Sequence, residues 1–578
     1  MTFTDIIFWP AFAIIMLIML LFRNAPRGRN IYLMLVSLAL YWYCGGITVA
    51  VLLFVTLSDY FLARGIWKTR RKWLKKLLLF ISVTVDLLLL CYFKYASFVT
   101  EIVNDILGTD LVSSETFPFS SLVPVGISFY IFKNIGYTMD VYRVKCAPVY
   151  NFWDFMMFTT FFPVAMSGPI LRADQFVPQL HRKYELSRRE LGLAVFWILN
   201  GLAKKIILGD YLGMNFIDRV FDNPHLFTGF ESLMAAFGFS LQLYADFSGY
   251  TDIATGVSLL LGFHLPKNFD SPYKSTDAQS FWKRWHISLS SWLQDYLYFP
   301  LGGNRRFSVA TFVILYGMIT VAWMILRLDW IPVAAGALTL FGVLYYILFR
   351  KRRKNVRGAL NTMVTMLLGG LWHGAAFNFI TWGGVNGAGI IASRSWKDAG
   401  WLGRLLIATA VLVGSCVLKF TIGGPLTNIA LFVSAIFCLA TVIRAAYSIS
   451  GNAGNAEEFE TLGRLWSVAQ TFVFATFAWI FFRSSSFDDA IALLSDIGDP
   501  QRWELRVIPE IVASYWEVFA IMAAGLIIHW IPERFKSAFR FKFADMPLPL
   551  MSLVVIISVF IIIQFASATP HPFIYFQF

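Results

Sequence analysis

One histidine in a long uncharged stretch is the clearest candidate for chemistry. Residues 358–393 contain no Asp, Glu, Lys or Arg, and His373 is the one histidine among them. It follows Arg357 by 16 residues, roughly 24 Å along a helix at about 1.5 Å per residue. Because an ionisable side chain in apolar sequence is costly to keep, it indicates function. A neutral imidazole there can take a proton from a hydroxyl group.

Aromatic residues with helical spacing surround a second histidine. One face of a helix predicted within residues 281–297 carries Trp282, Trp285, His286, Leu289, Trp292, Leu293 and Tyr296. Lys283 and Arg284 flank this face. The pattern is typical of an interfacial helix with an aromatic belt, and also of a helix lining a cavity where the cationic pair meets an anionic substrate. The residues alone leave both interpretations open.

Motifs for other kinds of catalysis are absent from the sequence. There is no G-x-S-x-G, no H-E-x-x-H and no phosphate-binding loop, and carboxylates such as Asp246 and Asp252 lack metal-site spacing. The five cysteines form no C-x-x-C pair. We therefore expect no metal site, and we favour direct transfer helped by one base. Proton relays of transporters also place histidine in membranes, so transport stays open on chemistry alone.

Composition assigns the chain to the membrane. Of its 578 residues, 58% are hydrophobic and 14% are charged, unlike a soluble protein. A membrane span needs about 20 apolar residues, and uncharged windows of nearly that length occur along the whole chain. We therefore expect residues 1–578 to form one membrane-embedded unit surrounded by lipid. The net charge of +13 reflects basic residues gathered in short connections, which argues against nucleic acid as a partner.

The distribution of charge predicts the topology. Residues 64–76 hold seven Lys or Arg, whereas residues 95–132 hold four acidic residues and no basic one. The first segment is therefore expected in the cytoplasm and the second outside. Counting membrane crossings from these two segments towards each end of the chain places both termini outside and gives roughly 12–16 passes, including re-entrant segments. Residues 152–166, with Pro163 among them, are expected to be re-entrant.

Two further segments are expected to enter the membrane and return. Residues 307–350 are bounded by basic residues at both ends and predict an extra transmembrane hairpin inserted in the core. Residues 358–393 are likewise bounded by Arg357 and Arg394. His373 should therefore lie deep in the membrane, near the turn of this second segment.

The segments around both histidines resemble the membrane-bound O-acyltransferase (MBOAT) family, specifically its bacterial branch. Residues 285–293 (WHISLSSWL) and 295–305 (DYLYFPLGGNR) are close to the strongest motif of that branch. Residues 366–375 (MLLGGLWHGA) match the segment that holds the catalytic histidine of the family. Supporting matches occur at residues 124–130, 167–170, 244–252, 481–483 and 572–576.

This resemblance implies an all-α fold in which tilted helices surround a central funnel and tunnel. His373 would be the base at the narrow point, and His286 the second essential histidine, facing the donor. The resemblance implies no metal and no bound cofactor. The expected substrate- and donor-binding residues are Trp282, Lys283, Arg284, Trp285, Ser288, Asp295, Arg305, Trp372 and Asn378.

The implied activity is O-acylation of an extracytoplasmic polysaccharide by a protein of the bacterial cytoplasmic membrane. The acyl group, taken as acetyl, would come from acetyl-CoA or an acyl carrier protein in the cytoplasm. A periplasmic transferase of the SGNH type could complete the reaction. Open alternatives are D-alanyl transfer to a teichoic acid-like polymer, a proton-coupled polysaccharide transporter or flippase, and a structural scaffold.

Two features depart from the pattern of the family. Relatives usually join the segments on either side of residues 307–350 more directly. After Trp382-Gly383-Gly384, where relatives often carry His-Gly, this chain has Val385-Asn386-Gly387. A role given to that third histidine should not be transferred, and Asn386 could only orient a partner by hydrogen bonding.

Overall fold

The computed structural model describes residues 3–108, 122–326, 330–348, 353–450, 456–566 and 573. Every regular element within these ranges is a helix. This confirms the all-α class that the composition and the resemblance predict. Long apolar sequence favours helices in a membrane because a helix satisfies its own backbone polar groups.

The N-terminal part contains nine helices of the described chain. They are α1 Phe8–Leu21, α2 Pro26–Gly45, α3 Val49–Lys68, α4 Lys72–Leu90, α5 Ala96–Leu107, α6 Ile127–Tyr142, α7 Phe152–Thr160, α8 Phe162–Ala165 and α9 Ala173–Leu180. A π-helical turn, Cys91–Tyr95, joins α4 to α5. The chain breaks at Gly45-Gly46, between α2 and α3, and Gly46 has φ +54°, which glycine adopts without strain. The segment with Pro163 forms two short helices rather than a straight span.

The middle part contains both histidine segments. Its helices are α10 Arg188–Ala203, α11 Asp218–Asp222, α12 Gly229–Leu260, α13 Ala278–Trp282, α14 Ile287–Leu293, α15 Val309–Leu326, α16 Trp330–Leu348, α17 Arg353–His373 and α18 Phe377–Asp398. π-Helical turns at Lys204–Tyr211 and Gln294–Tyr298 follow α10 and α14. Capping boxes at Ser187 and Thr228 begin α10 and α12, because each hydroxyl accepts from the backbone of a glutamate three residues later.

The C-terminal part continues with α19 Trp401–Thr421, α20 Pro425–Ser450, α21 Ala456–Arg483, α22 Phe487–Gly498, α23 Ile508–Ser514, α24 Trp516–Trp530, α25 Glu533–Ala544 and α26 Leu548–Gln564. The bend between α25 and α26 is 117°. Beyond α26, Phe573 packs on Tyr250 of α12, with ring centroids 4.7 Å apart. The other residues of the motif at 572–576 lie outside the described residues.

Several helical stretches can cross a membrane. By length and composition the described residues contain seven, or nine if each of two sharply bent pairs is one span. This is fewer than the roughly 12–16 passes expected from charge and length. One reason is that α2 and α3 form a single long stretch in this count. Another is that glycine and polar residues lower the hydropathy of α17 and α18, which the charge pattern counts as passes.

The extra hairpin is formed by α15 and α16. The hydroxyls of Tyr316 and Thr339 hydrogen-bond across it at 2.8 Å. At its base, the Thr311 hydroxyl donates to Asn361 Oδ1 of α17 at 2.8 Å, and Asn361 Nδ2 donates to the carbonyl of Gly303 at 2.7 Å. Asn361 therefore joins the hairpin, the loop before it and the histidine helix. Residues 327–329 and 349–352 lie outside the described residues.

Helices α17 and α18 form the tight hairpin that positions His373. A β-carbon at Gly370 would collide with the carbonyl oxygen of Phe379, and one at Gly383 with that of Met366. Glycine at these positions lets the two backbones touch, as small residues do between membrane helices. The neighbouring Gly384 has ordinary space, since its β-carbon would lie 3.5 Å from Leu367 Cδ2.

Gly383→Ala is therefore expected to destabilise the protein, and Gly384→Ala to be tolerated. The added methyl at position 383 must push backbone rather than a side chain, which costs about 1–3 kcal/mol in a packed core. The measurement is the thermal unfolding midpoint of each purified variant in detergent. Equal midpoints for the two alanine variants would show that the close approach of α17 and α18 is not a constraint.

Candidate active site

His373 is the last residue of α17, at the turn of the hairpin, and is 4% exposed. Its ring packs against Trp372 at 4.8 Å, Trp382 at 4.9 Å and Phe482 at 5.3 Å between centroids. Trp372 belongs to the buried cluster around α6 and α14, whereas Trp382 and Phe482 belong to the cluster around α12 and α21. The imidazole therefore lies where these two cores meet.

A half-buried cation closes the C-terminal end of α17. The Lys94 ammonium donates to the carbonyl of Trp372 at 2.8 Å and to that of His373 at 3.0 Å. Next to it, the Tyr95 hydroxyl donates to the carbonyl of Leu371 at 2.7 Å. These are among the last carbonyls of the helix, which have no partner within it. The π-helical turn Cys91–Tyr95 supplies both donors.

His286 does not lie within a continuous helix, so the prediction of one amphipathic helix across residues 281–297 is wrong. Helix α13 ends at Trp282, and α14 begins at Ile287. His286 stands at the start of α14 with φ 43° and ψ 57°, a left-handed conformation that is strained for a non-glycine residue. The carbonyl of Asn268 accepts the backbone N–H of Ile287 at 2.9 Å, so a distant loop holds this break in place.

The side chain of Asn268 fixes the His286 imidazole. Its Oδ1 accepts the backbone N–H of Ser288 at 3.1 Å and the Ser288 hydroxyl at 2.9 Å, and it lies 3.2 Å from His286 Nδ1. Because a carbonyl oxygen can only accept, Nδ1 carries the proton in this contact. The other ring nitrogen, Nε2, then carries the lone pair.

Trp372 lies close to both histidines. Its ring centroid is 4.8 Å from that of His373 and 6.3 Å from that of His286, and both histidines are buried. Phe247 of α12 also makes an edge contact with His286, at 4.6 Å between ring centroids. The structure therefore brings together the two histidines that the sequence singles out, in aromatic surroundings.

Trp282, Trp285 and Ser288 are buried in the same core as the histidines. Trp282 Nε1 donates to Asn386 Oδ1 at 3.1 Å, which links α13 to α18 by the kind of hydrogen bond expected of Asn386. Trp285 packs on Trp479 at 4.9 Å between centroids. The Ser288 hydroxyl accepts the backbone N–H of Ile170 at 3.0 Å, from the motif at residues 167–170. These residues support the walls of the site.

The charged residues predicted for donor binding are placed differently. Lys283 and Arg305 are exposed. Arg284 lies against Asp270, donating to its backbone carbonyl at 3.1 Å, and a hydrogen bond from Lys267 holds the pKa of Asp270 below its usual value. The structure therefore leaves Lys283 and Arg305 at the surface and engages Arg284 with Asp270.

The remaining two predicted residues are engaged in contacts between helices. Asp295 accepts a hydrogen bond from Arg172 at 3.0 Å, and Arg172 also donates to Tyr296. Asn378 Nδ2 donates to the carbonyl of Ser484 at 2.6 Å, joining the start of α18 to the residue after α21. Both side chains hold neighbouring segments in place in this structure.

Comparisons with known proteins bear on the site. Residues 145–318, which include His286, match the model of the membrane-bound O-acyltransferase family. The alginate O-acetylase AlgI of Pseudomonas putida, so named as probable, is 34% identical over 65% of this chain and 67% of its own. The chain belongs to the membrane-bound O-acyltransferase family.

Other relatives of this MBOAT protein act on different polymers, by their names. The peptidoglycan O-acetyltransferase of Helicobacter pylori is 30% identical over 65% of this chain and 67% of its own. The teichoic acid D-alanyltransferase of Bacillus subtilis is 28% identical over 46% of this chain and 58% of its own. The family and these relatives make the chain a multi-pass membrane acyltransferase. The match spans about two thirds of the length of the O-acetylating relatives.

Sequence reasoning missed Lys94 and Asn268, which hold the MBOAT histidines. Lys94 had a usable signal, since it is a charged residue within an apolar stretch. Asn268 had none, because an asparagine in a polar connection is ordinary, and only the fold brings it to His286. The aromatic neighbours Trp382 and Phe482 were likewise not predicted to touch His373.

Proposed function

We propose that this MBOAT protein transfers an acetyl group from a cytoplasmic thioester to hydroxyl groups of an extracytoplasmic polysaccharide. The observation that carries the proposal is the pair of buried histidines that both lie near the Trp372 ring, in a chain related to named O-acetyltransferases. Acetyl-CoA or an acylated carrier protein is the donor, and it is a substrate rather than a resident cofactor.

The reaction requires one base. His373 accepts the proton of the attacking hydroxyl while the hydroxyl oxygen forms a bond to the thioester carbonyl carbon. The tetrahedral intermediate then collapses with cleavage of the C–S bond. The imidazolium returns its proton to the leaving thiolate, so that the products are an ester and a free thiol and His373 is neutral again.

His286 orients a reactant in this scheme. With Nδ1–H donated to Asn268, its Nε2 can accept a hydrogen bond from the donor or the acceptor. Trp282, Trp285, Ser288 and Trp372 form the surrounding wall. Because these contacts hold the reactants and the base His373 in a fixed geometry, they contribute to the rate through positioning.

The sidedness of the reaction follows from the charge pattern. The protein lies in the bacterial cytoplasmic membrane with both termini outside, and residues 1–578 form one domain with an added hairpin at 307–350. Lys283, Arg284 and Arg305 face the cytoplasm, where they attract the phosphates of the donor. A funnel leads the donor towards His373, and the hydroxyl arrives from outside, either from the polysaccharide or from an SGNH-type partner.

Inside-out membrane vesicles are expected to transfer label from [14C]acetyl-CoA to polysaccharide in their lumen. Acetyl-CoA does not cross a bilayer, and in these vesicles the cytoplasmic face of the protein is outermost. The measurement is base-labile radioactivity in the polysaccharide fraction. Sealed right-side-out vesicles from the same cells are the control and should remain unlabelled until they are permeabilised.

Other results would point elsewhere. Equal labelling of both kinds of sealed vesicle would contradict a cytoplasmic donor. Absence of acetyl transfer, together with ester-linked D-alanine on the cell envelope, would replace acetyl by D-alanyl, as the similarity to the Bacillus subtilis relative allows. Loss of the polymer itself from cells lacking the chain, without any ester product, would favour transport or a scaffold.

A further inference from the structure

The contact between Lys94 and the end of α17 has no role in the reaction proposed above. Lys94 lies in the π-helical turn between α4 and α5, within an apolar stretch that can span a membrane. Its ammonium reaches the carbonyls of Trp372 and His373, 278 and 279 residues further along the chain. A charged side chain in a membrane-spanning stretch costs free energy, so its presence there indicates a function.

The negative charge that faces Lys94 is the partial charge on the C-terminal carbonyls of α17. In the part of the chain that the structure describes, no carboxylate interacts with its ammonium. The C-terminus of a helix carries partial negative charge on its last carbonyls, and a lysine there is favourable. Two of these carbonyls belong to Trp372 and His373 themselves, so the cation fixes the backbone of the candidate base and of the ring beside it.

We propose that Lys94 is the positioning residue of His373, which ends α17 at the correct place and keeps the neighbouring imidazole in the neutral form that accepts a proton. This inference rests on the proposed function of His373 as base. A cation close to an imidazole opposes its protonation, because two like charges repel more strongly away from water. Position and protonation state would then depend on the same side chain.

The elements packed on His373 offer few other charges. From α14 comes His286, and from the turn before α5 come Lys94 and Tyr95. Helices α18 and α21 contribute Trp382 and Phe482, which do not titrate. Of these groups, His286 and Lys94 are the two that can become cations. A lysine is ordinarily protonated at neutral pH, whereas most histidine is neutral.

The test compares three variants in the vesicle assay with [14C]acetyl-CoA across a range of pH. Lys94→Met keeps most of the unbranched side chain without its charge, Lys94→Arg keeps the charge, and Tyr95→Phe removes an uncharged hydrogen bond to the same helix end. For Lys94→Met we expect about a tenfold lower rate at neutral pH. The acidic limb of the pH–rate profile, where the rate falls as His373 is protonated, should move to higher pH by about one unit.

The other variants separate charge from structure. Lys94→Arg should restore most of the rate and keep the acidic limb at the wild-type pH. Tyr95→Phe should lower the rate less and leave the limb in place. If Lys94→Met lowers the rate without moving the limb, as an uncharged structural defect would, the electrostatic part of the inference is wrong. A wild-type rate for Lys94→Met would overturn it completely.

A second measurement does not need acyl transfer. Diethyl pyrocarbonate modifies an imidazole only in its neutral form, and mass spectrometry of the peptide containing His373 gives the rate of its modification at each pH. The midpoint should move to higher pH in Lys94→Met and stay at the wild-type value in Tyr95→Phe. If wild-type vesicles transfer no acetyl while this midpoint still moves, the proposed function fails and the effect of Lys94 stands. An unmoved midpoint contradicts the inference.

Discussion

His373→Gln is expected to lower acetyl transfer by about 100- to 10,000-fold, the contribution that a general base makes to a rate. Glutamine retains a polar side chain of similar size but cannot take up a proton near neutral pH. The helix hairpin should therefore still form while the reaction loses its base. The measurement is the initial rate of labelling in inside-out vesicles that contain equal amounts of each protein.

His529→Gln is a matched control for this prediction. His529 is as buried as His373, at 4% exposed, and packs on Tyr244 and Tyr273 with ring centroids 4.8 and 5.4 Å away. It takes no part in the proposed reaction, so its replacement should leave the rate per folded molecule unchanged. A similar loss in both variants would mean that buried histidines serve folding, and the assignment of a base would be withdrawn.

His286→Asn is expected to lower the rate by roughly 100-fold, a loss in the range of oriented catalytic groups. Asparagine is chosen because it adopts the left-handed backbone at this position more easily than alanine does. Asn268→Leu, which removes the acceptor of Nδ1–H, should cost about tenfold because the imidazole can then change its tautomer. The rate of acetyl transfer in vesicles measures both effects.

The double variant tests whether Asn268 acts through His286. If it does, adding Asn268→Leu to His286→Asn should cost little more than His286→Asn alone, because the residue that it positions is already gone. Two losses that add in free energy would show instead that Asn268 serves another purpose in the fold, since independent sites are additive. Thermal unfolding of all three proteins separates loss of structure from loss of rate.

The position of His373 at the turn of a helix hairpin could be predicted from the sequence because it depends on one-dimensional signals. The uncharged stretch at residues 358–393 and the basic residues at its ends determine that the chain enters and returns, and α17 and α18 confirm this hairpin. The all-helical class followed in the same way from hydropathy. These signals can be read from the sequence because the membrane requires each spanning segment to be apolar and helical, whatever the rest of the fold does.

The break before α14 could not be predicted in this way. The spacing of aromatic residues at 281–297 fits a helix well, yet the backbone reverses at His286 because Asn268 binds Ile287 and Ser288. Arg284 was expected beside an anionic substrate for the same reason, whereas the fold places it against Asp270. Periodicity describes one segment alone and contains no information about a loop that supplies competing hydrogen bonds.

The hairpin of α15 and α16 has a consequence for how such a chain can grow. Two apolar helices in tandem return the chain to the side that it left, so the parity of crossings before α17 is unchanged. A hairpin is therefore the smallest membrane insertion that leaves the orientation of α17 and α18 unchanged. A single added helix at this place would instead invert every later segment.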